Sequence, residues 1–495
     1  MDYTNRGLFL DLYELTMAFG FFKQGMSNKT ATFELFFRKN PFNGGYTVIC
    51  GVVEAIEFVR NFGFLQEDID YLSKLEMFDA EFLIYLQDLE FDGEIVGVRE
   101  GTVMFPHTPV IQVTGNIIIL QLIETGLLNI INFQSLIATK AARICQATQR
   151  IDNVMEFGLR RAQGDGGIIG SKAAFVGGSV STSNVYAGRK YHLKVAGTHG
   201  HSWIQSFRSE LEAFRKYADI YPDNSILLVD TYSVLQSGIQ NAIRVGRELQ
   251  ERGSRLVGIR IDSGDLGWLA IQCAKLLDKN DLEDVKIVLS SDLDEYIIES
   301  IIHEIQSSKD PNLDSKFKQK LVDRILWGVG TSLITGSGDG QAALGGVYKL
   351  VEFDGDPVMK ISENRDKTTV PGKKSLWRLK SKNKRWIADV ISRFGENKPQ
   401  DNDTIFHIYD DTKFITLEGV EIEELHLDLL KYYDHSDSKD NKALSAIRLF
   451  VRAQLLELDS THKRFLNPHD YKISLTQKLV MERKYLIQQH KNTYQ

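Results

Sequence analysis

Between about residue 195 and residue 335, apolar segments recur roughly every thirty residues, and each stops at a polar residue. SILLVD ends at Asp230, RLVGIRID at Asp262 and VKIVLSSD at Asp292, while RILWGVGT runs into a glycine-rich turn from Gly328 to Thr331. The stretches between them carry helical spacing, as in Leu266, Leu269, Cys273 and Leu276. In DLDE, Asp292 is expected to cap the next helix, with Glu295 three residues on. Strands alternating with helices predict βα units and a parallel sheet. A doubly wound sheet would concentrate its polar residues at one switch point. Polar residues closing four or five successive strands instead predict a (β/α) barrel, whose strand ends converge on one mouth.

A chain of 495 residues is too long for one ordinary core. The expected fold is α/β, a (β/α) barrel-like central domain with a flanking α+β domain built from the N-terminal region and a C-terminal extension. The expected boundaries are 1–130, 131–350 and 351–495. TATFELFFR and PVIQVTG read as strands of the flank, and GENKPQDND (395–403) as an exposed loop. No apolar run approaches the roughly eighteen residues of a membrane span. The start, MDYTNRGLFLDLYELTM, lacks the basic and apolar regions of a secretory signal. Cys50, Cys145 and Cys273 are widely spaced and odd in number, which suits a reducing cytoplasm rather than a disulfide framework. A net charge of −7 argues against a nucleic-acid partner but leaves room for a local basic pocket that takes a small anion.

Four segments carry candidate chemistry. In AGTHGHSW, His199 and His201 stand two apart; they are open to reading as metal ligands, as structural histidines, or as a nucleophile or base. A metal pair would need further histidines on later strands, and those strands end in aspartates. FGLRRAQGDGG (157–167) sets Phe157, Arg160 and Arg161 before a glycine-rich turn, a combination suited to a ring and to an anion. RIDSGD places Arg260 and Asp262 on one face of a strand. WGVGTSLITGSGDG (327–340) offers backbone N–H groups to a phosphate. Arg38 in FFRKNPF and Lys349 in YKL add single cations.

DLYELTMAFGFF, FELFFRKNPF, LIATKAARI, EFGLRRAQG, GTHGHSW, LLVDTY, RIDSGD, WGVGTSLIT and PGKK occur in this order, and together they resemble the nicotinate phosphoribosyltransferase family from about residue 8 to about residue 480. The resemblance implies transfer of phosphoribosyl from phosphoribosyl pyrophosphate to nicotinate, coupled to ATP hydrolysis through a phosphohistidine at His201. His199 matches a variable position. The resemblance gives Tyr13 and Phe157 as aromatics stacking on the pyridine, with Arg160, Arg161 and Ser183 near the ring. It places Arg260, Asp262 and Asp292 at ribose and pyrophosphate, with Asp262 as an Mg²⁺ ligand, and Asp230 beside the phosphohistidine, where it would orient the ring. Gly330, Thr331, Lys349 and Arg38 would hold the 5′-phosphate. Tyr13 and Arg38 would act from a partner subunit, which implies a homodimer with shared sites. Related nicotinamide-using enzymes carry an aspartate after a barrel strand; GGSVSTSN (177–184), with Ser179 and Val180, has no acid, which suits an acidic substrate. Nicotinamide or quinolinate transfer on the same barrel, a barrel metallohydrolase, and a catalytically silent binding protein are the alternatives.

Overall fold

The computed structural model describes residues 6–311, 313–338, 343–364, 367–434 and 441–493. Residues 339–340, the end of the glycine-rich segment singled out above, lie outside them. Two compact units emerge, Lys140–Gly338 and the combination of Met1–Thr139 with Asp339–Gln495.

The first unit is built on six parallel strands: β1 (Val154–Glu156), β2 (Ser181–Thr182), β3 (Ile226–Leu228), β4 (Gly258–Ile261), β5 (Lys286–Ser291) and β6 (Ile325–Val329). Their order is β2-β1-β6-β5-β4-β3. Apart from the step that joins β6 to β1, neighbours follow the chain, as around a barrel. A doubly wound sheet would reverse direction at its middle. The curled sheet therefore has the barrel-like order expected. Strands β3 to β6 are mostly apolar, because helices cover one face and the opposite face turns inward. Helix Ile239–Glu251 buries Ile239, Ala242, Ile243, Val245 and Leu249 along one stripe. Helix Leu266–Asp278 starts at Asp265, whose side chain accepts from the Trp268 N–H at 3.1 Å.

One boundary differs from expectation. The helix after β5 spans Glu295–Ser307, and its cap is Asp294, which accepts from the Tyr296 and Ile297 N–H groups. Asp292 is exposed. Leu293 is buried between the two aspartates, so the chain turns inward before the helix starts and Asp294 is the first carboxylate within reach of free N–H groups. Glu295 faces inward, 2.5 Å from Lys140 Nζ and 2.8 Å from Arg143 Nε, with all three side chains at most 2% exposed. Burial opposes its charge, but the two cations outweigh burial and hold its pKa below the usual carboxylate value.

The second unit is α+β and interleaves the chain ends. Strand Thr30–Phe37 pairs antiparallel with Ile111–Asn116 on one side and with Gly346–Phe353 on the other. The flank is thus built from the N-terminal region together with the C-terminal extension, as expected. A further six-stranded sheet contains Lys374–Lys380 and Trp386–Arg393. Among the described residues, no helix is long and apolar enough to cross a membrane.

Candidate active site

The C-terminal ends of the parallel strands carry the polar side chains. Arg260 lies at their centre. Its Nε donates to Ser290 Oγ at 2.8 Å, Nη1 to Thr198 Oγ1 at 3.1 Å and Nη2 to Asp262 Oδ1 at 2.9 Å. Ser290 donates to the same Asp262 oxygen at 2.5 Å. The guanidinium carbon stands 5.8 Å from the Phe157 ring centre. Phe157 enters here because its N–H is held by Val329 O at 2.8 Å and because Gly328 leaves room: a Cβ on Gly328 would come within 2.6 Å of the ring. Side chains alternate along a strand, so Arg260 and Asp262 share one face, and the β4–β5 register brings Ser290 alongside.

The two histidines have different fates. His199 is buried; its Nε2 accepts from the Leu228 N–H at 3.3 Å, and its ring packs against Phe214 and Tyr217. Burial lowers its pKa from 6.5 to about 4, aided by the Arg260 and His201 charges, so it is neutral near pH 7. Its place is structural, and the bonded Nε2 is not free to take a metal. His201 opens the short helix His201–Gln205 and is half-buried. Its Nδ1 lies 3.1 Å from Thr231 Oγ1. The expected pairing of His201 with Asp230 is not formed. Asp230 Oδ2 accepts from the Asp262 N–H at 3.0 Å and from Ser263 Oγ at 2.6 Å, while Oδ1 is buried with no hydrogen-bond partner among the described residues. Asp230 faces β4, and the next residue faces the histidine.

Phe157, His201, Asp230, Arg260 and Asp262 therefore gather at one end of the sheet. Arg160 and Arg161, on a single turn after β1, are exposed and have no ion-pair partner among the described residues. Ser183, just past β2, is half-buried, with its N–H on Glu156 O at 2.9 Å. Ser179 is buried, so it is Ser183 that offers a reachable hydroxyl from that loop. Gly330 precedes helix Thr331–Thr335 at the end of β6, with Thr331 exposed.

Tyr13, Arg38 and Lys349 belong to the other unit. Tyr13 is 46% exposed on helix Leu12–Lys23. Partial burial and the Glu124 carboxylate, which receives its hydroxyl, raise its pKa. Lys349 Nζ lies 3.7 Å from the same Glu124. Arg38 follows strand Thr30–Phe37 and sits 5.7 Å from the Phe36 ring centre. Glu14, next to Tyr13, is fully buried; Thr125 donates to it through N–H and hydroxyl, and its second oxygen has no partner among the described residues. Burial raises its pKa from 4.5 to about 7, with the Glu124 charge adding to the rise. A raised folded pKa means that this stability is present below about pH 4.5 and lost as pH rises through about 7. Glu14→Gln should accordingly match the parent protein in urea unfolding at pH 4.5 and exceed it at pH 8 by an amount on the order of 3 kcal/mol. An equal difference at both pH values would rule out this account.

Sequence reasoning missed Thr231, Thr198 and Ser290, which hold His201 and Arg260, and Glu156. The Glu156 carboxylate is buried and accepts from Ser171, Thr182 and the Gly158 N–H, tying β1 to β2. A register argument between RID and LSSD would have found Ser290; nothing local marks the others.

Cationic, carboxylate and hydroxyl groups collected at the strand ends of such a sheet form a site of the kind that barrel enzymes carry. Comparison with known proteins narrows this. Residues 8–132 match the family model described as the nicotinate phosphoribosyltransferase N-terminal domain, 153–387 the nicotinate phosphoribosyltransferase family, and 373–482 its C-terminal domain. The chain belongs to the nicotinate phosphoribosyltransferase family. A relative of that name from Bacillus subtilis is 38% identical, covering 95% of this chain and 93% of its own. One from Caenorhabditis elegans is 35% identical over 95% and 92%. The human nicotinic acid phosphoribosyltransferase structure superposes with a TM-score of 0.81 at 28% identity, over 96% of this chain and 99% of that one.

Proposed function

We propose that the chain transfers phosphoribosyl from phosphoribosyl pyrophosphate to nicotinate and couples the transfer to ATP hydrolysis through a phosphohistidine at His201. Nicotinate mononucleotide made this way feeds NAD salvage. The observation that carries the reading is the Arg260–Asp262–Ser290 cluster beside Phe157, a fixed cation and carboxylate next to a flat apolar ring.

Phe157 offers one face to the pyridine, and the unpaired Arg160 and Arg161 supply charge for its carboxylate, with Ser183 as a hydroxyl contact. Loss of diphosphate leaves oxocarbenium character on the ribose, which the carboxylates at the ends of β3 and β4 stabilise. Arg260 and the exposed Asp292 bracket ribose and diphosphate, while backbone N–H groups of the turn at Gly330 and Thr331 take the 5′-phosphate. Mg²⁺ fits the oxygens left over. Asp230 Oδ1 is buried without a partner, and such an atom suits a hard cation. Asp230 and Asp262 would hold the ion, which supplies charge neutralisation to the departing diphosphate. Tyr13 and Arg38 of a second subunit, with Lys349, complete the site in a cytoplasmic homodimer.

The test is product formation by mass spectrometry. Phosphoribosyl pyrophosphate and Mg²⁺ are supplied with nicotinate or nicotinamide, with and without ATP, to the parent protein and His201→Ala. Mononucleotide from nicotinate that rises with ATP, with the rise absent in the variant, is expected. Product from nicotinamide alone would move the specificity to the amide, and a variant with full ATP response would remove the phosphohistidine.

A further inference from the structure

The segment from Thr198 to His201 is docked at three points, one on β4 and two on β3 and the residues just past its end. Thr198 Oγ1 accepts from Arg260 Nη1 at 3.1 Å, His199 Nε2 accepts from the Leu228 N–H at 3.3 Å, and His201 Nδ1 meets Thr231 Oγ1 at 3.1 Å. The first two contacts fix the backbone. The third alone acts on the imidazole that the proposed function makes a nucleophile. Among the described residues the ring has no other hydrogen-bond partner. Thr231 is itself held in place. Its neighbour Asp230 is bonded through Oδ2 to the Asp262 N–H and the Ser263 hydroxyl, so the chain at the end of β3 is anchored where the threonine side chain leaves it.

We propose that Thr231 is the positioning residue of His201, its hydroxyl setting the plane of the imidazole for phosphoryl transfer from ATP. This inference rests on the phosphohistidine reading above. A hydroxyl suits the task because it both donates and accepts. It accepts from a protonated Nδ1 and donates to an unprotonated one, so it stays bonded whatever the ring's protonation. A carboxylate in that place would only accept and would favour the imidazolium, which has no lone pair to attack with. The step served is balanced without a further reactant. A lone pair on a ring nitrogen forms the P–N bond, the bond from the γ-phosphorus to the bridging oxygen breaks, and ADP leaves with that electron pair. The ring proton left over passes to solvent. Held at one nitrogen, the ring cannot turn freely about its Cβ–Cγ bond, and the orientation needed for in-line attack is set before ATP arrives.

The experiment is rapid-quench labelling of the full-length protein with γ-labelled ATP, following acid-labile, base-stable label, for the parent, Thr231→Val and Thr231→Ser. Valine keeps the shape and removes the hydroxyl, while serine restores it. The rate of labelling is expected to fall on the order of tenfold to a hundredfold in the valine variant and to return to within about threefold of the parent in the serine variant. The KM for ATP should move by less than about threefold, because the nucleotide itself is not touched. Rescue by serine, which restores the hydroxyl but not the methyl group, is a pattern that a loss of packing would not produce. If the valine variant melts early, the serine variant and Thr231→Ala carry the comparison. Equal labelling rates in parent and valine variants overturn the positioning role and leave the phosphohistidine intact. No label in the parent overturns both.

Discussion

Asp262→Asn is expected to lower kcat/KM for phosphoribosyl transfer by about a hundredfold to a thousandfold while the fold stays intact. The asparagine side chain can keep the shape, and its amide oxygen can still accept from Arg260 and Ser290, which now meet at Asp262 Oδ1. The backbone N–H that Asp230 accepts from is unchanged. What is lost is one negative charge beside Arg260, at the place where the proposed function has cationic character develop on the ribose. Its interaction is strongest in a partly enclosed site, where solvent screens little. Steady-state kinetics with a parallel thermal melt separates the two effects. Activity within threefold of the parent would show that the carboxylate only holds Arg260 in place.

Glu295→Ala is expected to cost about 3–5 kcal/mol of folding stability. The carboxylate faces Lys140 and Arg143 at 2.5 and 2.8 Å, and none of the three side chains reaches solvent appreciably. Removing the anion leaves two buried cations facing each other across a void, and the penalty is far larger than for a surface pair. Urea unfolding reads it directly. A loss under 1 kcal/mol would mean that water enters the gap and solvates both cations.

Four strands of the barrel-like sheet were legible because they are mostly apolar, so SILLVD, RLVGIRID, VKIVLSSD and RILWGVGT stand out without any knowledge of their partners, whereas β1 and β2 are too short to do so. The interleaved unit was legible only in outline. Phe37 pairs with Gly346, about three hundred residues away, and no local pattern encodes that pairing. At the site, residue types were readable and their partners were not. His199 and His201 look alike in sequence and differ because one side chain meets Phe214 and Tyr217 while the other meets a hydroxyl. Asp230 was the natural choice to orient His201 by charge. The strand ends so that Asp230 points along the sheet toward β4 and its neutral neighbour takes the histidine. Asp292 and Asp294 pose the same problem, since two aspartates two residues apart are equally good caps until the burial of Leu293 decides between them.

The strand order also leaves a seam. Among the described residues β2 and β3 form no ladder with each other, and the chain between them, residues 183–225, carries the histidine loop and touches β2 through a single bridge from Thr182 to Val195. In a closed barrel the strand number, tilt and stagger constrain one another, so an insertion into the sheet disturbs all of them. At a seam that coupling is absent. Chain can be lengthened or reshaped there without re-registering any neighbour, and it is there that the histidine loop sits.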